Sequence, residues 1–256
     1  MREWAGRARP QQVAEWQRRA AECAVCYVEN GMVVGLGTGS TAAFAVQRIG
    51  QLLRAGRLKG VAGVPTSEDV EGLARQQAIP LTTLEEHPEL DITIDGADEV
   101  DPDLNLIKGL GGALLHEKIV ARASRCEIIV VDEGKLVPRL GSQAPLPVEV
   151  IPFGLAVVSR ALAELGGVPT LRLRDGRPVL TEEGNLILDC GFGAIEDPVG
   201  LGQDIRAIPG VVEHGLFLGL TSMVVVGECE GVHVLRAGDT KGKGREWFQC
   251  AVSSRR

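Results

Sequence analysis

No apolar run in the sequence reaches the roughly 18–20 residues that a helix needs to cross a bilayer. The first twelve residues, MREWAGRARPQQ, lack the hydrophobic core of a secretory signal, so a cytoplasmic protein is expected. Cysteine is sparse: six in 256 residues, at 23, 26, 126, 190, 229 and 250, are too scattered for a disulfide framework. Cys23 and Cys26 make a lone CxxC inside a helical pattern with no second pair, which favours buried thiols over zinc or redox chemistry. Basic residues are outnumbered, Lys+Arg 27 against Asp+Glu 34 for a net charge of -7, and no basic face offsets that balance. Nucleic acid and anionic membranes are therefore not expected as partners, and an anionic ligand would need a local cradle.

What remains is an ordinary globular composition, 45% hydrophobic and 24% charged, with 33 glycines that suit α/β turns. The length allows one large domain or two smaller ones, and the chain pattern favours two. Over residues 11–30, Val13, Trp16, Ala20, Cys23, Ala24 and Tyr27 recur at spacings of three and four, an amphipathic helix that Gly31 should stop. Residues 32–37, MVVGLG, read as a buried parallel strand feeding directly into a second helical pattern, TGSTAAFAVQRIGQLL.

The turn from Gly35 to Thr41 lets backbone approach a ligand closely, and Ser40 and Thr41 add hydroxyls at a helix start; both features suit a phosphate. It is not a Walker loop, since no lysine precedes the Ser/Thr. A relaxed GxGxxA from Gly37 to Ala42 also admits a dinucleotide, but the next strand ends in Pro65-Thr66-Ser67 with no acid to hold a ribose hydroxyl. Thr66 and Asp69 have capping-box spacing for a helix through about 77, and residues 80–84 suggest a short strand.

The densest chemistry lies at residues 91–118, DITIDGADEVDPDLNLIKGLGGALLHEK. A short alternating strand runs into a turn rich in carboxylates, Asp95, Asp98, Glu99 and Asp101. Lys108, the pair Gly111-Gly112 and a helix carrying Glu117 follow. In an open α/β sheet, ligands bind beyond the carboxyl ends of the strands, which is where this turn falls. A metal is the competing use of Asp95, Asp98, Glu99, Asp101 and Asp103, but calcium-loop spacing is absent and Lys108 would repel a cation. In the helix over 112–124, Leu115, Ile119 and Val120 fall on the core side by spacing. His116 is expected at the surface, and His87, His214 and His233 show no ligand spacing. The strand CEIIVVDEGK, 126–135, ends in a second polar tip with Lys135.

After Gly141 three prolines mark a change of texture, and the pattern to about 220 reads βαββαβ, a ferredoxin-like order. The expected fold class is α/β: a Rossmann-like parallel sheet flanked by helices, with a smaller inserted ferredoxin-like α+β domain. The expected division is a catalytic domain of residues 1–142 plus 221–240, a small domain of 143–220, and a flexible tail at 241–256.

These blocks together resemble the A type of ribose-5-phosphate isomerase. The match spans about 11–235 and rests on VVGLGTGSTA (33–42), IDGADEVD (94–101), KGLGGALLHEK (108–118), the lysine of DEGK (132–135), PLPVEVIPFG (145–154) and IPGVVEHGLF (208–217). The resemblance implies cofactor-free interconversion of ribose 5-phosphate and ribulose 5-phosphate. It places substrate contacts at Thr38, Gly39, Ser40 and Thr41, at Asp95, Gly96, Ala97 and Asp98, at Lys108, Gly109, Leu110 and Gly111, and at Lys135. Glu117 is implied as the proton-transferring base. No metal and no cofactor are expected, and the expected assembly is a homodimer or homotetramer. Some members carry a lysine in the first helix near the phosphate; Gln17 and Arg18 stand here, which leaves the phosphate's basic partner open.

The residue types support the same chemistry. Moving a proton between C2 and C1 of an open-chain sugar needs a carboxylate base and a donor-rich cradle for the enediolate oxygens, roles that suit Glu117 and Lys108. Ring opening and exchange between the two oxygens need an acid/base group, for which Asp95 and Asp98 are both candidates. A dinucleotide-dependent oxidoreductase and a non-catalytic sugar-phosphate sensor are the alternatives. A sensor has no reason to keep Glu117 together with both aspartates.

Overall fold

A computed structural model describes residues 9–236 and the backbone of 246–247. Helix α1 (Pro10–Val25) buries Ala20, Ala21, Cys23, Ala24 and Val25. It ends before the expected stop at Gly31, because the N–H groups of Cys26, Tyr27 and Val28 bond three residues back and tighten the last turn. Cys23 is buried as expected, whereas Cys26 at the helix end is exposed.

Strand β1 (Val33–Leu36) leads into α2 (Ser40–Arg54), β2 (Ala62–Pro65), α3 (Glu68–Gln76) and β3 (Ile92–Asp95). The cap of α3 is Ser67, whose hydroxyl accepts from Val70 N, and not Thr66. Thr66 is buried and its hydroxyl is spent on the Leu36 carbonyl. The strand expected at 80–84 reduces to a single bridge between Gly63 and Leu81. Two short strands, β4 (Glu99–Val100) and β5 (Leu106–Ile107), precede α4 (Leu114–Ala123) and β6 (Glu127–Asp132).

The second part of the chain runs β7 (Leu146–Val150), α5 (Leu155–Glu164), β8 (Val168–Leu171), β9 (Leu173–Arg174), β10 (Arg177–Pro178), β11 (Leu186–Gly191), α6 (Pro198–Arg206) and β12 (Val211–His214). Strand order β12-β7-β11-β8, with every pair antiparallel, is the ferredoxin-like order read from the sequence. The β9–β10 hairpin projects from it. The chain then continues through β13 (Leu216–Phe217), β14 (Met223–Glu228), β15 (Gly231–Arg236) and β16 (Glu246–Trp247). Most of the tail expected at 241–256 lies outside the described residues; Glu246–Trp247 pairs with β15 as an edge strand.

The main sheet has the order β16-β15-β14-β6-β3-β1-β2 and is parallel from β14 to β2. Its strands are nearly continuous apolar runs because both faces are covered. On one face Val34, Leu36, Ile94, Ile128 and Val130 pack with Ala24, Ala45 and Ile49 of α1 and α2. On the other, Ile129, Val131, Val224 and Val226 pack with Ala121 of α4, Leu106 and Phe217. A three-stranded sheet, β13-β5-β4, ties the two sheets together. The chain leaves β1 toward β2 and then crosses to β3 on the other side of β1. The carboxyl ends of β1 and β3 therefore flank the switch point where open sheets bind ligands.

Candidate active site

Two turns meet at that switch point. The first follows β1. Gly37 packs so closely on β3 that a Cβ there would lie 2.2 Å from Asp95 Oδ1 and 2.5 Å from its Cα. Gly39 caps α2 with φ 107 and ψ 171, a conformation that is essentially glycine-only, and it offers no side-chain cap. The first N–H groups of α2 thus stay available at the positive end of the helix dipole.

The second turn follows β3 and places a buried charge cluster. Lys108 is 2% exposed, Asp95 0% and Glu117 5%. Lys108 Nζ lies 2.9 Å from Glu117 Oε1 and 3.2 Å from Asp95 Oδ2, and also donates to the Gly96 carbonyl. It sits 5.4 Å from the centroid of the Phe217 ring, a cation–π contact on its apolar side. Burial alone would depress the ammonium, but Asp95 and Glu117 hold it well above the ordinary lysine range. Burial pushes the Glu117 carboxyl up to about 7, against the pull of Lys108 and with the added charge of Asp95. Asp95 is likewise raised by burial, opposed by Lys108.

This cluster borders a cleft of about 130 Å³ lined by Gln17, the 38–41 turn, the 96–98 turn, Lys108, Gly109, Gly111, Glu117 and Lys135. Roomier grooves of about 700 and 800 Å³ flank α4, but neither contains Asp95, Lys108 or Glu117. Only the small cleft among these borders the buried charge cluster. It joins a helix start suited to an anion, a cation, and a buried carboxylate with proton affinity near neutrality.

Comparison with known proteins agrees with this geometry. A family profile, ribose 5-phosphate isomerase A (phosphoriboisomerase A), matches residues 62–231. The chain belongs to the ribose 5-phosphate isomerase A family. It is 55% identical over 225 residues to ribose-5-phosphate isomerase A of Roseiflexus castenholzii, covering 88% of this chain and 96% of that one. The solved ribose 5-phosphate isomerase A of Methanocaldococcus jannaschii superposes with a TM-score of 0.83 at 46% identity, over 87% of this chain and 98% of that one. A D-ribose-5-phosphate isomerase in complex with phospho-erythronic acid superposes with a TM-score of 0.86 at 41% identity, over 88% and 99%.

The residues singled out in the sequence do not all reach the cleft. Thr38, Gly39, Ser40, Thr41, Gly96, Ala97, Asp98, Lys108, Gly109, Gly111, Glu117 and Lys135 line it. Asp95 sits behind Lys108, wholly buried. Leu110 turns its side chain outward, 41% exposed, while its N–H donates to Asp98 Oδ2 at 3.0 Å. The Thr38 hydroxyl is already engaged with Thr66 and Ser67. Glu99 accepts from the N–H groups of Gly141, Gln143 and Ala144, and Asp101 from those of Asp103 and Asn105. Both carboxylates organise loops. No group of three or more His, Cys, Asp or Glu among the described residues is arranged to hold a metal.

The expected core face of α4 needs correction. Its buried residues are Leu114, Glu117, Val120 and Ala121, while Ile119 is 45% exposed. An ionisable residue occupies the inward face, so apolar spacing alone rotated the helix. Spacing also gave no sign of Glu127 or Phe217. Glu127 is 1% exposed and neither carboxylate oxygen has a hydrogen-bond partner among the described residues. Burial, then the charge of Asp95, pushes it up to about 8. In the first helix Gln17 lines the cleft and donates to Asp132 at 2.8 Å. Arg18 instead pairs with Glu15 and Glu22.

Proposed function

We infer that this chain interconverts ribose 5-phosphate and ribulose 5-phosphate, an aldose–ketose isomerisation by proton transfer through an enediolate. Family membership supports the reaction. The observation that carries the mechanism is Glu117, a buried carboxylate bordering the cleft with proton affinity near neutral pH and an ammonium 2.9 Å away. In this reading Glu117 takes the C2 proton of the open-chain aldose and returns it to C1. Lys108 offsets the charge that develops on the enediolate oxygens. The phospho-erythronic acid bound to the relative supports such a cleft: its carboxylate presents two coplanar oxygens at one end of a short carbon chain, as an enediolate does.

The two aspartates take different parts. Asp98 lines the cleft and is the group placed to relay the proton among O1, O2 and the ring oxygen. Asp95 keeps Lys108 cationic from behind. The start of α2 with Ser40 and Thr41 receives the phosphate, and Lys135 supplies its cation. Residues 1–142 with 221–240 form the catalytic unit in this reading, and 143–220 the small one. The exposed apolar side chains Ile151, Phe153 and Val157 support assembly into a homodimer or homotetramer. A cytoplasmic placement goes with the proposed reaction; separately, no helix among the described residues is long and apolar enough to cross a membrane.

The test is ketose formation from ribose 5-phosphate alone, in the presence of chelator and without nucleotide. Turnover supports the reading; turnover that requires a divalent ion replaces the enediolate cradle with a metal-assisted one. The phosphate assignment has its own check. A Cβ at Gly39 would meet no protein atom within 4 Å, so Gly39→Val acts through the backbone, which must abandon φ 107. A strain of about 1–3 kcal/mol on the binding-competent turn should raise KM by roughly 5- to 150-fold with a smaller change in kcat. An unchanged KM in a folded variant moves the phosphate elsewhere.

A further inference from the structure

The loop that follows Lys108 is held from its outer side by the small sheet. Arg172, between β8 and β9, donates through Nη1 to the carbonyls of Gly109 at 2.9 Å and Leu110 at 3.0 Å. Its guanidinium is anchored by Asp189 of β11, with Nε 2.8 Å from one carboxylate oxygen and Nη2 on the other. The Arg172 N–H bonds the Ile187 carbonyl, which fixes the base of the side chain to β11. With 13% of the side chain exposed, this fork is largely shielded from water.

A trans peptide is planar, so its C=O and N–H point in opposite directions. Holding the Gly109 and Leu110 carbonyls therefore turns the N–H groups of Leu110 and Gly111 away from Arg172. The Leu110 N–H does meet Asp98 Oδ2 on the far side, and Gly111 lines the cleft. We propose that Arg172 is a positioning residue: from the small sheet it fixes the two peptides between Gly109 and Gly111, so that one N–H orients Asp98 and the next faces the substrate oxygens. This rests on the cleft being the isomerase site. It also gives the small sheet a part in turnover without any contact of its own with substrate. Lysine cannot replace the fork, since a single ammonium cannot span two carbonyls and both oxygens of a carboxylate.

The experiment compares Arg172→Ala, Arg172→Lys and Asp189→Asn with Glu117→Gln, by steady-state kinetics and thermal melts. A misplacement of about 1 Å costs on the order of 10²-fold in rate, so Arg172→Ala should lower kcat roughly 10- to 100-fold while KM moves less than about threefold. Arg172→Lys should recover little, and added guanidinium should restore part of the rate of Arg172→Ala where methylammonium does not. A purely structural role would lower the melting temperature, leave kcat intact below it, and give no chemical rescue. A folded Arg172→Ala with wild-type kcat overturns the proposal, as does a loss of rate that guanidinium does not recover. If Arg172→Ala does not fold, Asp189→Asn decides: a lowered kcat supports the proposal and a wild-type kcat overturns it. Glu117→Gln separates the two levels. An inactive Glu117→Gln beside a fully active Arg172→Ala sinks only this inference, whereas two active variants remove the cleft as the site.

Discussion

Glu117→Gln is expected to lose at least about 10²- to 10⁴-fold in kcat with little change in KM, because a general base typically contributes that much and glutamine cannot accept the proton. The amide oxygen can still accept from Lys108, so the cluster should survive. Folding should be unharmed or improved above pH 7, since the substitution removes a carboxyl whose ionised form is costly to bury. The wild-type pH profile follows from the same residue. The base works deprotonated and its proton affinity in the free protein is raised to about 7, so kcat/KM should fall about tenfold per pH unit below that value. An ordinary glutamate would hold the rate down to about pH 4.3. The slope is read after correction for the substrate, because a phosphate monoester itself titrates near pH 6. A corrected kcat/KM flat from pH 7 to 5, or an active Glu117→Gln, would remove Glu117 from the role.

Lys108→Met should be the second most damaging change, lowering kcat by roughly 10²- to 10³-fold through loss of the charge that faces the enediolate. Its effect on stability should depend on pH in a definite sense. Without the ammonium, Asp95 and Glu117 keep their burial cost and lose their stabilising partner, so their folded-state proton affinities rise further above the unfolded values. The folded variant then binds more protons than the unfolded chain, and its stability falls as pH rises. The melting deficit against wild type should be small near pH 5 and grow toward pH 8. A deficit that is constant or shrinks over that range would mean that Lys108 does not neutralise the two carboxylates.

How much of this was legible in the chain depended on the range of the interaction involved. The strands at 33–36 and 127–132 were visible because a sheet covered on both faces leaves apolar runs, and the strand at 92–95 by its alternation. The βαββαβ order survived because its turns and prolines are local signals. Strands β4 and β5 were invisible: two residues carry no period, and each exists only through its partner's register. The capping position slipped from Ser67 to Thr66 because both are hydroxyl residues, and only the contact with β1 claims Thr66. The residues that line the cleft were legible as types in order, but which of the acids border it was not. That Asp98 borders the cleft while Asp95 backs Lys108 depends on how closely β1 and β3 approach at Gly37. Glu127 reads as an ordinary polar strand end, and Arg172 as one charge in an alternating strand. Glu127 stands out only through its burial, and Arg172 through its contact with a loop distant in sequence.

The most direct test of proton transfer through Glu117 is solvent labelling at equilibrium, with ribose 5-phosphate and enzyme in deuterated water followed by NMR. The account predicts deuterium at C2 of the aldose and at C1 of the ketose with the wild-type enzyme, and loss of that exchange in Glu117→Gln in proportion to its loss of turnover. Interconversion that reaches equilibrium with no solvent deuterium in either sugar, the C2 hydrogen passing intact to C1, would contradict it.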